Sequence, residues 1–263
     1  MKSYRKLLNS LFLLFSLSIL TGCPLFGPTV SEGLKEDCFV REYFEVSNLF
    51  LNSIGDNVFT ISYDKSDCKY VSLYSKTKEE KTKYRSLCTK YGDTNFPHRY
   101  KSTQHDKCAV ISQDFQRVDI ICLNDYDKEH KAGNSLQDIS TFYSTSLYPF
   151  LKSGYISFEH HEKIKQIESP ILDALYPKQF IHSEGYTFRR SEFMPNHLIA
   201  KKISQLKRED LLMIGGQYPE LLPIIAVIKL DKSPTQPGKH DIQVVFIKDN
   251  GESIKASGTI LFK

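Results

Sequence analysis

The sequence predicts a mainly β, α+β fold: an antiparallel β-sandwich, immunoglobulin-like at its C-terminus, with helical insertions. Three observations lead there. The last 50 residues alternate strand-forming runs with turn-forming residues. Val58-Phe59-Thr60-Ile61-Ser62-Tyr63 and Cys68 to Tyr74 carry β-branched and aromatic residues in alternation. With 40% hydrophobic and 12% aromatic residues, the composition is that of a folded globular chain rather than a disordered one.

The N-terminus comes first in order and carries the most information about location. Lys2, Arg5 and Lys6 precede an apolar run from Leu7 to Leu20, and Thr21, Gly22 and Cys23 follow. The run is broken by Asn9, Ser10, Ser16 and Ser18. A bilayer span needs roughly 20 predominantly apolar residues, so a cleaved secretory signal over residues 1–22 is the expectation. Leu20-Thr21-Gly22-Cys23 resembles the lipobox of bacterial lipoproteins. That resemblance implies lipidation at Cys23, through a thioether-linked diacylglycerol and an N-acyl chain. Each buried methylene stabilises such an anchor by about 0.8 kcal/mol, and two or more chains make it durable. Residues 23–37 then read as the lipidated cysteine and a tether. The first acidic residue of that tether is Glu32, with Lys35-Glu36-Asp37 further on. An acidic surface-export signal would sit directly after the acylated cysteine, so both faces of the membrane stay open.

Removing the signal discards three of the 35 basic residues and leaves the remainder nearly balanced against 31 acidic ones. No strong field is left to recruit nucleic acid. Beyond Cys23 the cysteines are Cys38, Cys68, Cys88, Cys108 and Cys122. An oxidising envelope permits disulfides among these five, with one thiol left over and the pairing undetermined. No Cys-x-x-Cys or paired Cys/His spacing argues for metal.

The body divides into a cysteine-containing mixed α+β region, 38–195, and a β-rich C-terminal region, 196–263, or forms one continuous domain 38–263. Tyr63-Asp64-Lys65-Ser66-Asp67 reads as a hairpin loop between its two flanking strands. Thr77 to Cys88 is charged, and Thr77 and Glu80 have capping-box spacing, which predicts a solvated helix. Cys108 to Leu123 predicts one or two strands with Val118, Ile120 and Cys122 on one face. Ser135-Leu136-Gln137-Asp138 has N-cap spacing, and Leu136, Ile139, Phe142, Tyr143 and Leu147 continue it as a helix that Pro149 stops. Further helices are expected from Glu159 to Ile167 and from Asn196 to Arg208, the first half of the latter being equally compatible with a strand. Leu222 to Leu230 predicts a strand, and Pro237-Gly238 turns the chain into Ile242 to Lys248. Asp249-Asn250-Gly251-Glu252 makes a tight hairpin into Ser253 to Phe262, with Gly258 expected as a bulge or bend.

The lipobox, the segment from Arg117 through Val118-Asp119-Ile120-Ile121-Cys122-Leu123-Asn124-Asp125-Tyr126-Asp127 to Leu136, and the terminal hairpin resemble an uncharacterised lipoprotein family of Bacteroidetes-type bacteria. The resemblance implies an envelope lipoprotein and carries over no catalytic residue.

Other motifs are weaker. His160-His161-Glu162 lacks the second histidine of a His-Glu-x-x-His zinc site. Asp125, Asp127 and Glu129, beside His130, could present oxygens to Ca²⁺, although the EF-hand glycine and terminal glutamate are missing. Gly215-Gly216 reads as a turn or bulge, and Glu159, Glu162 and Glu168 form no distinctive carboxylate pair. No other cofactor is implied. The sequence thus points to a membrane-tethered envelope protein, outer-membrane anchored, acting as a non-catalytic binding or interaction module for a protein or glycan ligand. An envelope hydrolase with a dispersed site and a structural envelope component are the alternatives.

Overall fold

The computed structural model describes residues 38–96, 109–156, 166–175, 197–215 and 223–263. The signal, Cys23, Cys108, His160-His161-Glu162 and most of the Glu159–Ile167 helix expectation lie outside these residues. The compact body runs from Asp37 to Lys263.

The described strands are β1 (Glu42–Glu45), β2 (Phe50–Gly55), β3 (Val58–Ser62), β4 (Lys69–Ser72), β5 (Ala109–Ile111), β6 (Phe115–Cys122), β7 (Ser140–Ser146), β8 (His197–Lys202), β9 (Ile224–Leu230), β10 (Gly238–Lys248) and β11 (Ser253–Phe262). They form three sheets, ordered β4-β1-β5, β11-β10-β6 and β2-β3-β9-β7-β8. All pairings are antiparallel except β1 with β5. The architecture is a β-rich α+β sandwich. Because β8 and β9 complete a sheet begun by β2, β3 and β7, no boundary falls at residue 196.

One core is shared by the inner faces. Phe59 and Ile61 of β3, Phe142 of β7 and Ile228 of β9 meet Val118 and Ile120 of β6 and Val244 and Phe246 of β10. Phe246 is the hub: its ring lies 5.1 Å from Phe115, edge-on, and 6.5 Å from Phe142. Burying such rings removes large apolar areas from water, at about 25 cal/mol per Å². A second core lies on the other face of β1, where Tyr43, Val71 and Val110 pack against Tyr84, Cys88 and Tyr91. Those last three project from helix α1 (Lys78–Tyr91). Helix α2 (Tyr148–Lys152) adds Phe150 and Leu151 to that second core. Helix α3 (Ser169–Leu175) lays Ile171 on Val58 and Val227, across the outer face of the five-stranded sheet.

Local chemistry sets these elements. The Thr77–Glu80 capping box is formed in full, and α1 ends at Gly92 in the left-handed region, φ 74°. Val118, Ile120 and Cys122 share one buried face, as their alternation requires. The terminal hairpin closes with Lys248 N–H donating to Glu252 O at 2.8 Å and Gly251 N–H to Lys248 O at 2.9 Å, and within the turn Gly251 alone takes a positive φ, 84°. The turn is therefore a three-residue loop with glycine at its left-handed position, rather than a two-residue Asn-Gly turn.

Several expectations are corrected. The Tyr63–Asp67 link is no hairpin loop, because β3 and β4 belong to different sheets; Asp64 instead caps a short turn over Lys65–Asp67. The expected Ser135–Leu147 helix is a brief turn, Gln137–Ile139, followed by strand β7. Ser140, Phe142, Ser144 and Ser146 alternate inward there, and three serine hydroxyls donate to the carbonyls of Leu136, Ile225 and Leu212. Pro149 opens α2 rather than closing a helix, in keeping with its tolerance in a first turn. Likewise Pro170 lies in the first turn of α3. For the Asn196–Arg208 segment, expected as a helix or, in its first half, a strand, the strand alternative holds: His197–Lys202 is β8 at the sheet edge, and short turns follow.

Gly258 makes no bulge, since the β10–β11 register runs unbroken past it. A Cβ at this position would lie 3.2 Å from the Leu51 carbonyl oxygen, so any larger residue would push β2 away by a few tenths of an ångström or more. Gly258→Val should accordingly lower unfolding free energy by about 2–3 kcal/mol. Lys255→Thr, on the exposed face of the same strand, should stay within about 0.5 kcal/mol of wild type in the same urea titration.

Candidate functional site

The tightest grouping of reactive side chains forms where the body begins. The end of α1 is closed by two backbone bonds, from Gly92 N–H to Thr89 O and from Asp93 N–H to Cys88 O. This closure aims the Asp93 side chain back at the incoming chain. Its Oδ1 accepts from Phe39 N–H at 2.7 Å and its Oδ2 from Val40 N–H at 2.8 Å. The Tyr155 hydroxyl lies 3.0 Å from Oδ1. Tyr84, one helical turn before Cys88, donates its hydroxyl to Val40 O at 2.6 Å.

Cys38 is thereby seated beside Cys88, and the ligand atoms of Cys38, Cys88 and Asp93 all lie within 4.8 Å of one another. Asp93 is fully buried. Burial raises its carboxyl to about 6, against the opposing pull of the two N–H groups, the Tyr155 hydroxyl and the Arg41 charge. The Cys88 thiol is held far above its ordinary value by its hydrogen bond to Cys38 and by burial. A thiol in that state is a poor nucleophile. Tyr43 stands against Cys88 with its own ionisation suppressed by burial, and its hydroxyl has no well-aligned partner. The surroundings therefore favour neutral sulfur.

The other two described cysteines are separate. Cys68 lies at the start of β4 with its thiol 3.3 Å from Asp64 O. Cys122 is buried and directs its thiol at the carbonyl oxygens of Lys131, 3.1 Å, and Asn134, 3.4 Å. Burial pushes both thiols up. No disulfide joins the four described cysteines.

The acidic loop after β6 does not build the expected cation site. Asp125 is spent on Lys131 Nζ and on the N–H of Ala132, both at 3.0 Å. Asp127 Oδ1 accepts from the N–H groups of Glu129 and His130. The carboxylates thus face inward on their own turn, and Glu129 does not join them. Among the described residues the only three-membered cluster with metal-ligand spacing is that of Cys38, Cys88 and Asp93. Sequence spacing suggested His130 only as a neighbour, yet it is the centre of this loop. Its Nδ1 lies 2.9 Å from Asp127 and its Nε2 3.1 Å from Asp138, which clamps the loop to the turn before β7. Burial would depress its pKa, but the hydrogen bonds to Asp127 and Asp138 outweigh that and raise it.

A third polar cluster fastens the terminal hairpin. Arg208 bonds both oxygens of Asp249 and reaches Asp114, 3.4 Å away. Asp114 also takes Lys90 Nζ at 2.7 Å and lies 2.7 Å from the Tyr91 hydroxyl. Close by, a shallow polar groove of about 450 Å³ runs between β1 and the β10–β11 hairpin. Its Gln113 is bonded to both the N–H and the carbonyl of Val46, and its Lys248 to Glu252.

No known protein family, curated protein or solved structure matches this chain. Two outcomes follow from the geometry. Asp93→Ala strands two buried N–H groups and should cost about 3 kcal/mol in chemical denaturation. For His130 the folded pKa exceeds the unfolded value of about 6.5, so its contribution is complete below that value and is lost as pH rises through the folded pKa. The stability gap between wild type and His130→Gln should therefore be widest near pH 5 and shrink toward pH 9.

Proposed function

We propose that this protein is a lipid-anchored envelope protein, held at the outer membrane through Cys23, whose body is a non-catalytic binding or interaction module. The anchor rests on the basic-apolar-small order of residues 1–22 and on Leu20-Thr21-Gly22-Cys23. The observation that carries the non-catalytic reading is that, among the described residues, the main polar clusters close on themselves. Asp93 holds backbone, His130 bridges two aspartates and Arg208 ties the hairpin at Asp249 to Asp114 between β5 and β6. General acids, bases and nucleophiles must instead meet at a place a substrate can reach. The ligand class this reading implies is a protein or glycan of the envelope or its surroundings.

The test uses the full chain in a lipoprotein-processing bacterial host. Wild type should sediment with membranes and carry an acylated Cys23 as its first residue by mass spectrometry. Cys23→Ser should lose the lipid and shift to the soluble fraction. Wild type that retains residues 1–22 and carries no lipid would refute the anchor, and turnover of a glycan, ester or peptide panel would refute the non-catalytic module.

A further inference from the structure

We infer that Cys38 and Cys88 close a disulfide that staples the first residue of the folded body to α1. Asp93 fixes the N–H groups of Phe39 and Val40, and Tyr84 fixes the carbonyl of Val40. Three bonds from one helix end thus immobilise the segment that carries Cys38, and they set its sulfur within 4.8 Å of the Cys88 sulfur. The two thiols already lie within hydrogen-bonding reach of one another.

Bond formation removes one proton and one electron from each thiol and joins the two sulfurs. The electrons pass to a disulfide donor, either the oxidised form of an envelope thiol oxidoreductase or oxidised glutathione, which leaves as two thiols. The bridge rests on the envelope reading only for the supply of that donor. The staple has a mechanical consequence. In a chain pulled through residues 23–37, force enters the body at Cys38, and a covalent link passes it directly to a helix packed on the second core.

A zinc ion on Cys38, Cys88 and Asp93 is the competing use of the same atoms. It fits less well, because both Asp93 oxygens are already engaged by backbone N–H groups. It would also gather three anionic ligands where the surroundings favour neutral groups.

Trypsin cleavage separates the five cysteines that follow Cys23, so the pairing can be read directly. Cys38 falls in the peptide from Glu36 to Arg41 and Cys88 in that from Ser86 to Lys90. Full-length protein would be extracted from membranes after alkylation in the cell, then digested without reductant. In parallel, reduced protein would be titrated with oxidised glutathione. Both arms should yield the Glu36–Arg41 peptide linked to Ser86–Lys90. Reductant should lower the melting midpoint of wild type by about 10 °C, and should not move that of the Cys38→Ser/Cys88→Ser double variant. A link formed with glutathione but missing in cells would overturn the envelope location and leave the pairing standing. Separately alkylated peptides in both arms, a link from either cysteine to Cys108, or stoichiometric zinc in the untreated protein would overturn the bridge itself.

Discussion

One buried carboxylate fixes where this fold begins. Chain ends fray unless something ties them down, and here the folded body follows a segment of 15 residues rich in Pro, Gly and charge. Asp93 supplies the tie by accepting the N–H groups of Phe39 and Val40. The consequence spreads outward. Phe39 then packs edge-on against Phe96 and Phe150, both at 5.0 Å. Val40 leads into β1, whose Tyr43 stacks on Tyr91 at 5.8 Å. The second core therefore assembles around a polar anchor. The desolvation cost that lifts the Asp93 pKa is offset by the backbone groups it satisfies and the aromatic packing it permits.

The main core is held differently. Its strands come from both ends of the chain, and β10 pairs along most of its length with β11 and β6. Apolar burial drives that association, while charge fastens its rim. Arg208 joins the turn before Leu212 to the hairpin at Asp249 and to Asp114 near the end of α1. Gly258 lets β11 come close to Leu51 of β2. Polar groups in both cores thus work as fasteners among the described residues.

What could be read from the sequence was whatever is encoded locally. The Thr77–Glu80 box, the alternation in β3 and β6 and the Gly251 turn each depend on neighbours within a few positions. Strand β7 was hidden, because Leu136, Ile139, Phe142 and Tyr143 match a helical period, while three of the strand's inward positions, Ser140, Ser144 and Ser146, are polar and leave no apolar alternation to read. The inward serines that settle the matter find their acceptors on Ile225 and Leu212, far along the chain. The same holds for the sites. Asp125 and Asp127 stood out by density, yet their partners lie within the same turn and use up their oxygens. Asp93 stood in no motif; only the return of the chain's first residues to the end of α1 makes it central. Its one local signal was a glycine followed by a carboxylate after a charged helix.

Amide hydrogen exchange on the full chain, with Asp93→Ala beside wild type, tests the anchoring role most directly. In wild type the amides of Phe39 and Val40 should be protected, exchanging far more slowly than unstructured amides. In Asp93→Ala they should exchange rapidly while the β10 amides of Val244 and Phe246 stay protected. Rapid exchange of Phe39 and Val40 in wild type, or unchanged protection in the variant, would contradict the account.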